Sequence, residues 1–184
     1  MCGRFELIIG PMYSGKSTEL IKHANRYMSI GKNVLAINHK INNRYGSTKI
    51  TTHDKKVYED CISLERLDDI YKLHDEAFNN ADIIIIEELQ FFADSFDFIS
   101  NTVDTTDKTV IAAGLSGDFK RNKFGDVLKL IPHADSLTQL SAYCLRCGDG
   151  TLANFTKRIT KGDGVTLVGS TSIYEAVCRK HYLE

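Results

Sequence analysis

The sequence predicts an α/β protein in which helices cover both faces of a parallel β-sheet. Short apolar runs, which are typical of buried strands, recur at 5–9, 34–37, 82–86 and 109–113. Apolar residues at intervals of three and four lie between these runs and predict helices. A chain of 184 residues with 42% hydrophobic residues suits one such domain, with room for a small appendage.

The first helix is predicted at 17–30. Leu20, Ile21 and Ala24 recur at helical intervals, and Gly31 supplies a natural C-terminal stop. This helix follows the apolar run at 5–9 almost directly, so a strand, a tight turn and a helix come in succession.

The short apolar run at 34–37 predicts the second strand. Residues 38–56 are polar, rich in Asn, Thr, Lys and His, and predict a long connection. A short strand at 57–62 and a helix at 64–78 are expected to follow.

Residues 82–86, an aspartate and four isoleucines, form the clearest strand, because a central parallel strand is apolar on both faces. We expect this strand to lie next to the first one. An amphipathic helix is predicted at 91–103, and further strands at 109–113 and 136–140. Right-handed crossovers would gather the carboxyl ends of the strands, and any ligand, along one edge.

Charge and composition exclude several classes of protein. The net charge is −1, from 23 basic and 24 acidic residues, whereas a nucleic-acid coat or an anionic-membrane binder is usually more basic. No stretch approaches the roughly 20 apolar residues of a membrane span, and the first strand begins too early for a signal peptide. We therefore expect a cytoplasmic protein with no membrane or nucleic-acid partner. In that compartment its five cysteines are more often metal ligands or bystanders than disulfides.

Residues 10–17 read Gly-Pro-Met-Tyr-Ser-Gly-Lys-Ser, directly after a predicted strand and at the start of a predicted helix. This spacing is typical of a P-loop, whose backbone N–H groups surround phosphate oxygens. Lys16 would reach the β- and γ-phosphates, and the Ser17 hydroxyl would bind Mg²⁺. The alternative is an ordinary strand–turn–helix whose glycines only permit the turn. The motif predicts nucleotide contacts along the whole loop, at Gly10, Pro11, Met12, Tyr13, Ser14, Gly15, Lys16, Ser17 and Thr18.

Two carboxylates, Glu87 and Glu88, follow the four isoleucines. P-loop enzymes keep an acid at such a strand end to order Mg²⁺. Adjacent residues of a strand point to opposite faces unless the chain has already turned. One carboxylate is therefore expected to face the water shell of the metal and the other a substrate hydroxyl. The alternative is a solvated pair at a strand end.

Four Cys and His residues near the C-terminus have metal-ligand spacing. Cys144 and Cys147 form C-x₂-C, and Cys178 and His181 form C-x₂-H thirty residues later. Each half can present two ligands to one tetrahedral Zn²⁺, and four ligands describe a closed, structural site. The alternative is two unrelated thiol pairs, one of them redox-active. With the change in composition near residue 141, this set predicts an ATP-binding α/β domain at 1–141 and a zinc-ribbon domain at 142–184.

Several motifs together resemble thymidine kinases of the cellular, zinc-containing class, which includes bacterial and poxviral enzymes. The resemblance covers nearly the whole chain, from about Phe5 to Tyr182. Its landmarks are the P-loop at 10–20, Asn43-Arg44-Tyr45, Thr52-His53-Asp54, Glu88-Leu89-Gln90-Phe91-Phe92, Phe119-Lys120-Arg121, Phe124-Gly125, Phe155-Thr156-Lys157-Arg158 and the Cys-His knuckle.

The resemblance implies a P-loop NTPase-like fold and transfer of the γ-phosphoryl group of ATP to the 5′-hydroxyl of thymidine. Glu88 matches the general base of the family, and Arg44 a basic residue near the phosphates. The resemblance also places Glu87 and Gln90 at the nucleotide and Mg²⁺ site. The resemblance also implies dTMP synthesis for nucleotide salvage, a structural zinc, inhibition by thymidine triphosphate and, by analogy alone, a homotetramer.

A lasso loop of the family closes over the nucleoside and corresponds here to about 158–174. On the resemblance, zinc holds the base of this loop, and Gly162, Gly164 and Gly169 let its backbone bend close to the thymine. The residues that match nucleoside contacts are Met12, Phe91, Leu115, Phe119, Phe124, Thr156, Val165, Leu167, Gly169 and Tyr174.

Three residues depart from the family pattern. Glu87 stands where an Asp is usual, and Asn42 also replaces an Asp, so Mg²⁺ binding is expected to be weaker or altered. Leu89 replaces a small residue and is expected to crowd the pocket.

Three other functions compete with this interpretation: a related kinase with another base preference, a P-loop ATPase whose zinc ribbon binds nucleic acid or protein, and an inactive homologue that senses nucleotides.

Overall fold

The computed structural model describes residues 2–41, 50–51, 57–58, 60–160 and 173–184. Its strands are β1 (Arg4–Gly10), β2 (Val34–His39), β3 (Ile50–Thr51), β4 (Val57–Tyr58), β5 (Cys61–Leu64), β6 (Ile83–Ile86), β7 (Thr109–Leu115), β8 (Ser136–Gln139), β9 (Ala142–Tyr143), β10 (Leu152–Ala153), β11 (Phe155–Arg158) and β12 (Tyr174–Val177). Its α-helices are α1 (Lys16–Met28), α2 (Ile70–Leu73), α3 (Asp75–Asn80), α4 (Ser95–Thr105) and α5 (Arg179–Leu183).

Six strands form one sheet in the order β5-β2-β6-β7-β1-β8, and every neighbouring pair is parallel. The predicted parallel α/β sheet is confirmed. The expectation that β6 lies next to β1 is wrong, because β7 lies between them and pairs with both. Chain order does not determine lateral order here, since a crossover can skip a position in the sheet.

The sheet separates two apolar clusters, one on each face. Alternate residues of one strand enter different clusters, so Ile84 belongs to the larger cluster and Ile85 to the smaller. Helix α1 covers the smaller cluster with Leu20 and Ala24, while Phe98 of α4 lies in the larger. Burial on both faces explains why these strands are continuous apolar runs in the sequence.

The predicted helix at 64–78 is broken. A 3₁₀ turn at Leu67–Asp69 leads into α2, and His74, at φ −145° and ψ 36°, separates α2 from α3. Asp75 and Glu76 begin α3, where acidic residues favour the positive end of a helix. The apolar spacing continues through the break, so periodicity alone could not reveal it.

Two other elements also differ from expectation. The predicted strand at 57–62 is two strands, since β4 pairs with β3 whereas β5 joins the main sheet beside β2. The predicted helix at 91–103 begins later, as α4, after a 3₁₀ turn at Leu89–Phe91.

The C-terminal part has its own small apolar cluster. Ribbons β9–β10 and β11–β12 surround Ala142, Cys144, Ala153, Ala176 and Val177, and Tyr13 of the P-loop packs against them. A separate domain at 142–184 stays a prediction.

Among the helices of the described residues, none combines the length and the apolar character that crossing a membrane requires.

Ile84 provides a test of the buried sheet, because its side chain is fully buried in β6. We expect Ile84→Ala to lower the free energy of unfolding by about 2–5 kcal/mol and Ile84→Val by about 0.5–1.5 kcal/mol, since a cavity adds to the lost burial. Urea denaturation measures both. Ile30→Ala, at a side chain that is 70% exposed, is the control and should change stability by less than about 0.5 kcal/mol. Equal losses at both isoleucines would contradict this core.

Candidate functional site

The carboxyl ends of the central strands meet at one edge of the sheet. The register pairs Gly10 of β1 with Leu115 of β7, and Ile86 of β6 lies opposite Ile37 of β2. The loop 10–17 and the carboxylates Glu87 and Glu88 therefore emerge on the same side. This edge is where ligands bind in open parallel sheets.

The loop at 10–17 is closely packed and internally bonded. The Ser14 hydroxyl and the Lys16 ammonium both donate to the Pro11 carbonyl, at 2.9 and 2.7 Å. A Cβ on Gly10 would lie 2.6 Å from the Leu140 carbonyl oxygen, so only glycine fits there. Gly15, at φ 84°, turns the chain into α1. This compact turn has the form that a phosphate-binding loop requires.

Lys16 lies within the electrostatic field of both carboxylates. Burial lowers the pKa of its ammonium, and the negative charges of Glu88 and Glu87 oppose that shift. The acidic pair and the loop lysine are thus close enough to form one charged cluster. The alternative interpretation, a solvated acidic pair, does not describe Glu87, which is only 6% exposed, whereas Glu88 is half-buried.

Glu87 contacts the first turn of α1. The Ser17 hydroxyl donates to Glu87 Oε1 at 2.5 Å, although β7 separates β6 from β1. The longer side chain of glutamate spans that distance. A hydroxyl beside a carboxylate is a donor set that suits a hard divalent cation such as Mg²⁺.

Glu88 has an uncommon backbone conformation. Its φ of 56° and ψ of 42° lie in the left-handed region, which few residues other than glycine adopt. The chain has therefore already turned after Glu87, so the two adjacent carboxylates serve different neighbours. Gln90 Nε2 donates to Glu88 Oε2 at 2.5 Å.

Aromatic side chains form two pairs, one of which includes Phe91 of the 3₁₀ turn that follows Glu88. The rings of Phe91 and Phe124 meet edge to face with centroids 5.5 Å apart, and Phe119 lies 6.5 Å from Tyr174. The guanidinium of Arg158 lies over Phe119 at 5.0 Å. These rings are among the sequence-predicted pocket residues, and they come from three different segments of the chain, since Phe119 and Phe124 share the loop after β7.

The P-loop also contacts the C-terminal part directly. The backbone N–H of Met12 donates to the Thr156 hydroxyl of β11 at 3.0 Å.

Leu89 was expected to crowd the pocket, but its side chain is fully buried in the larger core cluster. Gly114 leaves the space for it, because a Cβ there would lie 3.2 Å from Leu89 Cβ.

The four predicted zinc ligands converge. Distances from His181 Nδ1 to the sulfurs of Cys144, Cys147 and Cys178 are 3.5, 3.4 and 3.5 Å, and the sulfurs of Cys147 and Cys178 are 3.8 Å apart. A tetrahedral zinc site requires about 3.6 Å between sulfur and nitrogen and about 3.8 Å between two sulfurs. The residues fit Zn²⁺, and the set could hold a metal ion.

The other two cysteines lie outside this cluster. Cys2 is exposed and Cys61 is buried, and burial raises the pKa of the Cys61 thiol to about 12. The reading of two unrelated thiol pairs is therefore wrong, because C-x₂-C and C-x₂-H form one four-ligand group.

The zinc cluster is connected to the aromatic residues through Tyr182. This residue follows the ligand His181, and its hydroxyl donates to the Phe119 carbonyl at 2.8 Å. Arg121 lies over the Tyr182 ring at 4.6 Å. Lys157 donates to the His181 carbonyl at 2.8 Å, which ties β11 to the same end of the cluster.

Some predicted residues lie outside the described part of the chain. They are Asn42, Arg44, Gly162, Gly164, Val165, Leu167 and Gly169.

Sequence reasoning missed two residues of this edge. His39, to which no sequence motif assigned a role, ends β2 and packs on Phe91 and Phe92 with centroids 5.7 and 4.7 Å away. Burial lowers the pKa of its imidazole. Tyr182 was recognised only as the end of the resemblance. The position of His39 at the carboxyl end of a predicted parallel strand was the available signal.

Comparisons with known proteins identify relatives over nearly the whole chain. A family model described as thymidine kinase matches residues 3–182. A thymidine kinase of Oryza sativa subsp. japonica is 42% identical over 99% of this chain and 67% of its own length. Thymidine kinase a of Arabidopsis thaliana is 40% identical over 98% of this chain and 75% of its own. A thymidine kinase of vaccinia virus is 37% identical over 99% of this chain and 98% of its own length.

The zinc assignment is tested with Cys178→Ser, which removes one of four ligands. We expect loss of bound zinc, measured by atomic emission, because a three-ligand site binds structural zinc weakly. Tm should fall by at least about 5 °C, since 1 kcal/mol corresponds to about 2–4 °C at this length. Cys2→Ser, at an exposed cysteine outside the cluster, is the matched control and should keep full zinc content. Stoichiometric zinc in Cys178→Ser would contradict the assignment.

Proposed function

The chain belongs to the thymidine kinase family, and we propose that it transfers the γ-phosphoryl group of ATP to the 5′-hydroxyl of thymidine, yielding dTMP. We propose Glu88 as the general base. One observation carries the proposal: the Glu88 carboxylate lies in the field of Lys16, at the sheet edge that also carries the P-loop. A phosphoryl donor and a proton acceptor can therefore meet there.

The P-loop is proposed to bind the triphosphate. Its backbone N–H groups and the N-terminus of α1 would surround phosphate oxygens, and the Lys16 ammonium would neutralise charge on the β- and γ-phosphates. Lys16 already sits at the loop, where it donates to the Pro11 carbonyl. Arg44 is proposed to offset charge that develops during transfer.

Magnesium is proposed at the adjacent hydroxyl and carboxylate. Ser17 and Glu87 would hold it, which their 2.5 Å contact and the burial of Glu87 support. When bound there, Mg²⁺ would supply positive charge that offsets the charge of the phosphates. The Glu87 side chain is long enough to reach Ser17, so the departure from Asp is compatible with this role.

Glu88 is proposed to accept the proton of the 5′-hydroxyl. As the proton moves to the Glu88 carboxylate, the sugar oxygen forms a bond to the γ-phosphorus. The bond from that phosphorus to the bridging oxygen of ADP breaks, and ADP leaves. Because the transition state of such transfers is stabilised chiefly by positioning and charge, a well-oriented carboxylate is the protein's main contribution at the acceptor.

The aromatic pairs support a nucleoside pocket beside Glu88. We propose that Phe91, Phe119, Phe124 and Tyr174 form its walls, and that Met12, Leu115 and Thr156 lie near the thymine methyl group. The backbone of Val165, Leu167 and Gly169 would read the base. A planar apolar ring between aromatic walls is recognised by shape and by stacking.

Zinc is proposed to hold the stems of the lasso together. The cluster joins the turn after β9 to the end of β12, and β12 pairs with β11. An irregular loop loses much conformational entropy on ordering. Stems that zinc already holds together would lower this entropic cost. We also propose a cytoplasmic homotetramer inhibited by thymidine triphosphate, by analogy with the family.

The role of Glu88 is tested with Glu88→Gln, which keeps size and removes the ability to accept a proton. We expect kcat to fall by about 10²- to 10⁴-fold, the typical contribution of general acid–base catalysis. ATP affinity, measured by calorimetry, should be retained. Glu76→Gln, at an exposed position of α3, is the matched control and should keep full activity. Wild-type kcat in Glu88→Gln would overturn the proposal.

The acceptor is identified with a panel of deoxynucleosides, each incubated with pure protein, ATP and Mg²⁺. Thymidine monophosphate as the main product supports the proposal. A different monophosphate would indicate a kinase with another base preference. ADP release that requires DNA and ignores nucleosides would indicate a nucleic-acid-dependent ATPase, and ATP binding without product would indicate a sensor.

Tyr182→Phe tests the connection between the zinc knuckle and the pocket wall. It removes only the hydroxyl that bonds the Phe119 carbonyl. We expect KM for thymidine to rise by about 2- to 10-fold, the equivalent of one net hydrogen bond, with zinc content unchanged. Tyr143→Phe, at a tyrosine that is 70% exposed, is the matched control. Unchanged KM in Tyr182→Phe would show that this bond does not shape the pocket.

A further inference from the structure

Gln90 is a polar residue in an almost fully buried position. It lies in the 3₁₀ turn Leu89–Phe91, two residues after Glu88, and only 3% of it is exposed. Both ends of its amide are engaged. Nε2 donates to Glu88 Oε2 at 2.5 Å, and Oε1 accepts from the backbone N–H of Leu115 at 3.0 Å. The side chain therefore connects Glu88 to the end of β7.

Two glycines make the space that Gln90 occupies. A Cβ on Gly125 would lie 2.5 Å from the backbone carbonyl oxygen of Gln90, and a Cβ on Gly114 would lie 3.3 Å from the side-chain oxygen, Gln90 Oε1. Close packing of this kind leaves the amide few alternative rotamers. Rotation would also leave the Leu115 N–H without its acceptor, and buried donors without partners are costly.

Glu88 is the residue that such a contact would have to hold. Its left-handed backbone is unfavourable for a residue with a Cβ and persists only where the surroundings determine it. A carboxylate on a strained turn can be directed at a substrate only if its side chain is also held. A charge-assisted hydrogen bond from a buried amide supplies that orientation.

We propose that Gln90 is a positioning residue that orients the Glu88 carboxylate and links it to Leu115 at the end of β7. It acts through Glu88 and does not contact the nucleotide, which differs from the role that the resemblance implies for it. The inference rests on the proposed function, in which Glu88 is the general base. Gln90 thus connects Glu88, the proposed general base, to Leu115, which is proposed to lie near the thymine methyl group.

Gln90→Glu separates orientation from chemistry. A carboxylate oxygen would still accept from the Leu115 N–H, so the buried donor keeps its partner. Its other oxygen would face Glu88 Oε2 where the amide donor stood. Two carboxylates at that distance share a proton, so the pair would lose the free, oriented carboxylate that is proposed to accept the substrate proton. Lys16 and His39 lie in the electrostatic field of Glu88, Glu87 adjoins it in the chain, and all three titratable groups remain in this variant.

The experiment measures kcat and KM for thymidine against pH, together with ATP affinity by calorimetry. For Gln90→Glu we expect kcat at neutral pH to fall by about 10- to 100-fold and the acid limb of the kcat profile to move up by about one pH unit or more. ATP affinity should be unchanged. Gln139→Glu, the same substitution at an exposed position of β8, is the control and should leave the profile in place.

A second variant, Gln90→Leu, removes both hydrogen bonds without adding a charge. We expect kcat to fall at every pH with no shift of the acid limb, and urea denaturation shows whether the variant folds. If Gln90→Glu leaves kcat and the acid limb unchanged, the proposal is wrong. It is also wrong if the acid limb stays and ATP affinity falls, because Gln90 then contacts the nucleotide. Failure of the proposed function would be recognised separately, because Glu88→Gln would then keep the kcat of the wild-type protein.

Discussion

The parallel pairing of β7 with both β1 and β6 is the constraint on which the rest of the structure depends. It aligns Gly10 with Leu115 and Ile86 with Ala112, so that the loop after β1 and the turn after β6 leave the sheet on one side. Ladder hydrogen bonds and burial on both faces make this register costly to change, because a slip by one residue would move every apolar side chain to the opposite cluster. The distance between Lys16 and the acidic pair is therefore set by the core and not by the loops.

The C-terminal part adds a second, local constraint to that edge. Its own apolar cluster is small, and five buried residues supply little burial energy. A four-ligand metal group compensates for a small core, since metal binding stabilises the folded state of the segments that carry the ligands. The contacts between Met12 and Thr156 and between Tyr182 and Phe119 then transmit this order to the P-loop and to an aromatic wall. The segments that carry the four candidate metal ligands thus also contact the P-loop and the proposed pocket residue Phe119.

Periodicity and motifs predicted much of this molecule, for physical reasons that also explain what they missed. Continuous apolar runs revealed the strands because parallel strands are buried on both faces, and the spacing of Cys144, Cys147, Cys178 and His181 revealed the metal cluster because ligands must converge on one ion. Lateral order was not accessible, since β7 lies between β6 and β1, and its pairing with β1 joins segments that are distant in sequence. The break at His74 and the left-handed turn at Glu88 depend on local backbone angles that periodic patterns do not encode. His39 was missed because its aromatic partners follow a different strand.

The left-handed turn at Glu88 has a consequence for how this position can vary. Glycine would adopt φ 56° without steric cost, so folding alone favours replacing the glutamate. The residue that the fold prefers is one that cannot take up a proton. Under the proposed role of Glu88 as general base, selection for a robust scaffold and selection for turnover oppose each other at this single site, and libraries screened only for heat resistance should lose the acid there.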